Sequence, residues 1–493
     1  MLPYTTLIHL DRKATTPIFL QLTNQLVQLI QNGQLAPGTK LPSSRKFAQL
    51  FQLNRNTVTK SIEELEALGW VDILPKRGAF VVTTFPEMRP TAWLTKEEKP
   101  TTRSFDFYDF PYLKRPKAVT PILGFDDGLP DVRLAPVDEL ARAYARNIRQ
   151  LAFEKDLNYN DGLGNLLLRK ELAKMLQETK GMNVTHEHIL ITRGTVMAIH
   201  LAVGATIRPN DGVIVGETNY KTANMVIQHF GGQLWTVPVD EQGLQVEKIP
   251  AICEKQSIRA IYVTSHHHHP TTVTLAPQRR LELLKMAKQY NFVILEDDYD
   301  YDFHYGNSPI LPLASGNNRE RMLYFGSFTK AIAPAFRVGY LVGSKRLMQI
   351  IPKLRRILDR QGDTVLEKTI ADLLADGTIR RHLKKAWRHY KDRRDFCCDL
   401  LKKELGELIV FEKPSGGMAI WATFSKKIEI ERLSKNMKRR GIYLSDGQTY
   451  NPVNQQLNGV RMGFASMDFK EMEEAVKVLR EEVERLAGGK VDR

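Results

Sequence analysis

The 493-residue chain is poor in cysteine, with Cys253 and the adjacent pair Cys397 and Cys398 its whole complement. Adjacent cysteines rarely bridge each other and no Cys-x-x-Cys spacing occurs. A disulfide framework and a cysteine-type zinc site are therefore not expected, and reduced thiols in a cytoplasm are. Long apolar runs are absent too, so no membrane span is expected. The opening "MLPYTTLIHLDRKATT" lacks the basic patch, apolar core and small-residue cleavage site of a secretory signal. What abounds is positive charge: 71 Lys and Arg against 56 Asp and Glu, a formal net of +15. That excess suits a polyanionic partner without identifying one. A chain this long exceeds one ordinary core, so two or more domains are expected.

Little of the excess lies at the front. Residues 1–83 hold nine Lys/Arg and five Asp/Glu, a net of +4. A dense stretch is "IRRHLKKAWRHYKDRRDF", residues 379–396. It reads as the solvated face of a helix that buries Leu383, Trp387 and Tyr390. A second phosphate-contacting surface is the alternative.

The first eighty residues switch period in an informative order. Leu22, Leu26, Leu29 and Ile30 recur at helical spacing and Gly33 stops that helix. After "APGTKLP", Ser43 or Ser44 caps a short helix, and Asn54 caps another over Arg55 to Leu68. "WVDILPKRGAFVV" reads as two short strands around Lys76 and Arg77. Two helices a short turn apart followed by a basic hairpin make a winged helix-turn-helix. On "LPSSR" and "NRNTV" the region resembles the DNA-binding domain of GntR-type regulators. The resemblance implies Arg55, Asn56 and Thr57 at the major groove, with Lys60 beside them. It also implies Arg45 on a phosphate, and Lys76 and Arg77 near the minor groove or backbone. Residues 84–117, rich in Pro, Thr and charge, read as a linker whose aromatic part, Phe105 to Tyr112, docks on the second domain.

From residue 118 to 493 apolar strands alternate with amphipathic helices. "HILITRG", "GVIVGETNY", "QLWTVPVD", "RAIYVTS", "FVILEDDYDYDF", "MLYFGSFTK" and "VGYLVG" are the strands, in an α/β fold with a mostly parallel sheet. Functional loops then belong at strand ends. Arg193-Gly194-Thr195 offers backbone N–H groups at a helix start. Asp297 ends a strand in carboxylates. Ser327, Thr329, Lys330 and Arg337 follow another strand, and Arg461 lies on a late one. Lysine, aspartate, phosphate-binding turn and arginine form the set that pyridoxal 5'-phosphate requires.

At these residues, and at "GLPD", "YNDGLGNLLLR", "EDDYD" and "SFTKAIAPAFRVGY", the chain resembles fold-type I aminotransferases. Joined to the winged helix it resembles the MocR/GabR family of pyridoxal-phosphate-dependent transcriptional regulators. The resemblance implies Lys330 as Schiff-base lysine, Asp297 on the pyridine nitrogen and Tyr299 at the ring hydroxyl. Gly194, Thr195, Ser327 and Arg337 would cradle the phosphate, and Tyr220 would stack on or line the ring. Tyr159 would reach the phosphate of a partner subunit in a homodimer, and Arg461 would grip a carboxylate of an amino-compound effector. Thr222 stands where γ-aminobutyrate-sensing relatives carry a second arginine, which argues against that effector.

The run "HHHHPTT", residues 266–272, has three readings: a metal site, a tag remnant, or a coenzyme loop. Neighbours in an extended segment point to opposite sides, which disfavours the metal. On the resemblance the run is the loop: His267 matches the family histidine, and His269 stands where many aminotransferases have an asparagine that donates to the ring hydroxyl. Thr272 replaces the expected glycine. The functional expectation is an operator-binding regulator responding to an amino compound or to the coenzyme itself. The alternative is a working aminotransferase with an accessory DNA-binding domain.

Overall fold

A computed structural model describes residues 2–83, 110–113, 123–153, 157–306, 310–315, 319–452 and 455–488. The chain forms two compact units, Met1–Tyr108 and Asp109–Arg493. Most of the expected linker, 84–109 and 114–117, lies outside the described residues. Of its aromatic stretch, Tyr112 is described and its hydroxyl meets His229 Nδ1 at 3.3 Å, within the second unit.

In the first unit, α1 (Ile18–Gln31), α2 (Ser44–Phe51) and α3 (Arg55–Ala67) precede a hairpin of β1 (Val71–Leu74) and β2 (Gly78–Val81). The apolar stripes meet in one core of Leu22, Leu26, Phe47, Val58 and Leu65, each fully buried. Where α1 crosses α3 the contact is polar but satisfied: the hydroxyls of Thr23 and Ser61 share a hydrogen bond of 2.9 Å. Ser43 caps α2 by accepting from Lys46 N, and Asn54 caps α3 by accepting from Asn56 N at 2.9 Å. The hairpin is antiparallel, with Val71 opposite Val81 and Leu74 opposite Gly78.

The second unit is built on a seven-stranded sheet. Its strands are β3 (Ile189–Thr192), β4 (Gly212–Gly216), β5 (Gln233–Val237), β6 (Ile258–Val263), β7 (Val293–Asp297), β8 (Met322–Ser327) and β9 (Gly339–Val342). They are the seven segments read from the sequence. The spatial order is β3-β9-β8-β7-β6-β4-β5, and only β9 runs against the others. Apolar clusters cover both faces: Ile294 points into one and Leu295 into the other. Double coverage explains why these strands read as unbroken apolar runs. Because β9 is reversed, its start shares one edge of the sheet with the ends of β3, β6, β7 and β8.

A smaller antiparallel sheet of β10 (Ile409–Phe411), β11 (Ala419–Phe424) and β12 (Gly459–Gly463) packs with α4 (Thr378–Leu405) and α5 (Phe469–Ala487) around a second core. On α4, Tyr390 is buried, and Leu383 and Trp387 are partly so. The solvated-face reading needs correction at two arginines. Arg393 and Arg394 are buried, the first paired with Asp131 at 2.9 Å and the second with Asp395 at 2.6 Å. Among the described residues no helix is long and apolar enough to cross a membrane.

Candidate functional site

The strand period assigns the acidic cluster at the end of β7 to opposite faces. Glu296 and Asp298 turn to one side, where Ser265 donates to Glu296 and Tyr324 to Asp298. Asp297 turns to the other. Its Oδ2 accepts from the Tyr262 hydroxyl at 2.7 Å. Its buried Oδ1 has no hydrogen-bond partner among the described residues. Burial pushes the Asp297 carboxyl up to about 7; the Tyr262 hydroxyl opposes this, and Asp298 and Asp300 add to it. A carboxylate so placed is poised to accept from a cationic N–H.

At the same edge of the sheet Lys330 follows β8, with Nζ donating to the Gly128 carbonyl. Burial lowers the lysine, partly offset by Asp127 and Asp126, which eases formation of the free amine. Gly194 precedes the helix Thr195–Thr206 with φ of 80°, a conformation that side chains seldom adopt. A Cβ there would come within 2.6 Å of the Arg337 guanidinium, so that cation packs directly over the turn. Arg337 Nη2 donates to the Arg193 carbonyl at 2.9 Å, and the Ser327 hydroxyl donates to Thr329 Oγ1 at 2.8 Å. A helix start, a guanidinium and hydroxyls in one place form an anion cradle. A cavity of about 500 Å³ opens beside it, lined by Thr192, Arg193, Arg337, Val338, Tyr144 and Asp363 among others; Lys330 and Asp297 do not line it.

The four histidines are all buried and each finds a different partner. His266 Nε2 meets the Ile310 carbonyl, and His267 Nδ1 meets Asp300 Oδ1 at 2.8 Å. His268 Nε2 meets the Thr218 carbonyl at 2.7 Å, and His269 Nε2 meets Asp127 Oδ2 at 3.1 Å. His269 Nδ1 is buried without a hydrogen-bond partner among the described residues. Tyr220 sets its ring edge against His269, with centroids 5.5 Å apart. The substitution at Thr272 leaves the loop closed: Thr272 N donates to His268 O at 2.7 Å and His268 N to Val273 O at 2.8 Å. Thr272 takes φ of 63° to do so, a strained setting for a β-branched residue.

Arg461 on β12 is 1% exposed and extends Nη1 to the Pro270 carbonyl at 3.2 Å and Nη2 to the Tyr299 hydroxyl at 3.3 Å. Tyr299 also donates to the His267 carbonyl at 3.1 Å. Sequence reasoning missed two neighbours of this arginine. Asp127 Oδ1 lies 3.2 Å from Arg461 Nε and accepts from the Tyr450 hydroxyl at 3.1 Å. Nothing in sequence spacing links positions 127, 450 and 461; the only hint is that Asp127 immediately precedes "GLPD". Tyr159 joins none of these contacts: it is 71% exposed, its ring against the Arg360 guanidinium at 3.8 Å.

In the first unit, Arg45, Arg55, Asn56, Lys60, Lys76 and Arg77 are exposed and Thr57 is half-buried. Arg55 Nε reaches Ser44 Oγ at 3.4 Å, joining the two helices of the motif. Lys60 lies over the Phe19 ring at 4.2 Å. Lys76 takes φ of 60° at the tip of the hairpin.

The aminotransferase class I and II family matches residues 122–479, and the bacterial regulatory proteins of the gntR family match residues 20–81. The uncharacterized HTH-type transcriptional regulator YisV of Bacillus subtilis is 26% identical over 97% of this chain and 98% of its own length. The probable rhizopine catabolism regulatory protein MocR of Rhizobium meliloti is 25% identical over 96% of this chain and 94% of its own. Among solved structures, an archaeal alanine:glyoxylate aminotransferase superposes with a TM-score of 0.70 at 24% identity, covering 74% of this chain and 91% of that one. The α-aminoadipate aminotransferase LysN of Thermus thermophilus gives 0.69 at 24% identity over 74% and 93%.

Two outcomes follow from this geometry. Thr272→Gly relieves the left-handed strain and stabilises the protein by about 1 kcal/mol, read by chemical denaturation. Asp297 is a carboxyl raised on folding, so its burial costs stability increasingly as pH rises from about 4 to about 7 and uniformly above. In coenzyme-free protein Asp297→Asn therefore stabilises more at pH 8 than at pH 5, by more than about 1.4 kcal/mol, the value of one pKa unit. An equal effect at both pH values contradicts the assignment.

Proposed function

The chain belongs to the class I and II aminotransferase family, which uses pyridoxal 5'-phosphate, and carries a gntR-family helix-turn-helix ahead of it; on that premise we propose that it is a coenzyme-bearing transcriptional regulator. Residues 1–83 form the DNA-binding domain, 84–117 the linker and 118–493 the effector domain. The observation that carries the reading is the buried Oδ1 of Asp297, without a partner among the described residues, on the same sheet edge as Lys330 and the Gly194 turn. Those residues fit the coenzyme: a carboxylate for a cationic ring nitrogen, an amine, and an anion cradle.

When bound, the coenzyme supplies an aldehyde that condenses reversibly with a primary amine. Lys330 offers that amine, and burial favours its neutral form. Asp297 holds a proton at the ring nitrogen, with Tyr262 fixing its other oxygen. Gly194, Thr195, Ser327 and Arg337 bind the phosphate. Tyr220, His267, His269 and Tyr299 position the ring, with His267 braced by Asp300. Tyr159 completes the phosphate site of a partner subunit in a homodimer, which its exposure allows. Arg461 is the buried cation that the resemblance assigns to an effector carboxylate. Arg55, Asn56 and Thr57 read bases, while Arg45, Lys60, Lys76 and Arg77 contact the backbone or minor groove. An amino compound, or the coenzyme itself, regulates DNA binding to the extent that it favours one arrangement of the two heads. The intact set around Lys330 supports a second reading, an aminotransferase with an accessory head.

Two measurements test the proposal. Holo-protein shows a visible absorbance band that Lys330→Ala abolishes; a band unchanged in the variant refutes the assignment. With a DNA site selected by the full chain from a random-sequence pool, Arg55→Ala weakens binding roughly 10- to 100-fold, from about 1–3 kcal/mol per base contact. Sustained keto-acid-dependent turnover without selective DNA binding favours the second reading.

A further inference from the structure

Resting on the coenzyme reading above, we infer that Asp127 is a specificity-determining residue, an internal carboxylate that holds Arg461 and so selects primary amines bearing no carboxylate on the amine carbon over α-amino acids. Three of the five N–H groups of Arg461 are committed inside the protein, and its nearest anion is already Asp127. Its Nη1 and Nη2 are engaged by the Pro270 carbonyl and the Tyr299 hydroxyl, and its Nε by Asp127 Oδ1. The same Nε lies 3.5 Å from the Asp127 carbonyl oxygen. Asp127 in turn satisfies both its oxygens: Oδ1 faces Arg461, the Tyr450 hydroxyl and His269 Nε2, and Oδ2 meets His269 Nε2.

The arrangement is braced from the backbone outward. Gly463 N donates to the Asp126 carbonyl at 2.7 Å, and Leu129 N to Asp126 Oδ1 at 2.7 Å. The Ser466 hydroxyl holds Asp126 Oδ2, and Lys330 donates to the Gly128 carbonyl. Residues 126–129 are thus fastened on both sides of Asp127, so its carboxylate cannot leave Arg461 by a simple shift of the loop. Burial would raise the Asp127 carboxyl, but His269, Arg461 and Lys330 hold it well below the usual carboxylate range. The group is an anion at every physiological pH.

Although protein surrounds it, the Asp127 side chain keeps half its surface exposed, as a group on a cleft wall does. An α-amino acid whose carboxylate reaches Arg461 meets this anion there, leaving two carboxylates competing for one cation. An amine with a neutral or cationic tail meets no such conflict, and a second ammonium on the tail gains a counter-ion in Asp127.

The matched pair butylamine and L-norvaline, which carry one amine each and differ only by the α-carboxylate, tests this by equilibrium titration of the coenzyme band of the holo-protein. In the exchange one C=N bond would form to the ligand nitrogen as the bond to Lys330 Nζ breaks, and the lysine would leave as a free amine. The parent protein is expected to bind butylamine at least about tenfold more tightly. Asp127→Asn should narrow that ratio at least about tenfold, through tighter norvaline binding. Tyr450→Phe, which removes one donor from Asp127, should move it the same way by less. A parent protein that prefers norvaline, a ratio unmoved in Asp127→Asn, or no band shift with either compound overturns the inference while the coenzyme reading stands. Absence of any Lys330-dependent band removes both.

Discussion

A carboxylate buried with one oxygen lacking a partner is the constraint around which the second unit is organised. Leaving Asp297 Oδ1 without a donor costs free energy that a well-packed apolar residue would not. The fold bears that cost at the end of a central strand, flanked by Asp298 and Asp300, which add repulsion. The neighbouring carboxylates each have an imidazole for a partner, where Asp297 has the Tyr262 hydroxyl. Asp298 is bonded by Tyr324 and paired with His266, and Asp300 is matched to His267. Asp297 ends β7 on the same edge of the sheet as the turn that carries Lys330, and the reversed β9 brings Arg337 and the Gly194 turn to that edge too.

Much of this was legible in the sequence because it is local. Seven strands showed as apolar runs, since a sheet covered on both faces needs them, and the caps at Ser43 and Asn54 showed because the side chain that makes a cap sits beside the helix it starts. Asp297 could be chosen from its acidic neighbours by resemblance, and period-two alternation then explains the choice. What stayed hidden depends on long-range pairing. The antiparallel placement of β9 leaves no trace in composition, and the meeting of Asp127, Tyr450 and Arg461 spans more than three hundred residues. The basic run 379–396 misled at Arg393 for the same reason, since Asp131 and the Ala465 carbonyl are distant in sequence; Arg394 adds the Pro414 carbonyl to its adjacent Asp395.

The two units express charge in different ways. In the first, the basic residues stand exposed on a small core and are available to a polyanion. In the second, several arginines are internal: Arg355 bonds the Gly162 carbonyl, Arg393 pairs with Asp131, and Arg461 braces the cleft. The formal +15 therefore overstates the charge that a nucleic acid could meet, and the modest +4 of residues 1–83 is the more relevant figure for DNA.

The four consecutive imidazoles are 2–8% exposed, each turned toward a different acceptor. An immobilised nickel resin should therefore slide past the native chain, yet capture it once denaturant frees the run. Retention on such a resin would report how much of the population has come apart, using a handle that the natural sequence already carries.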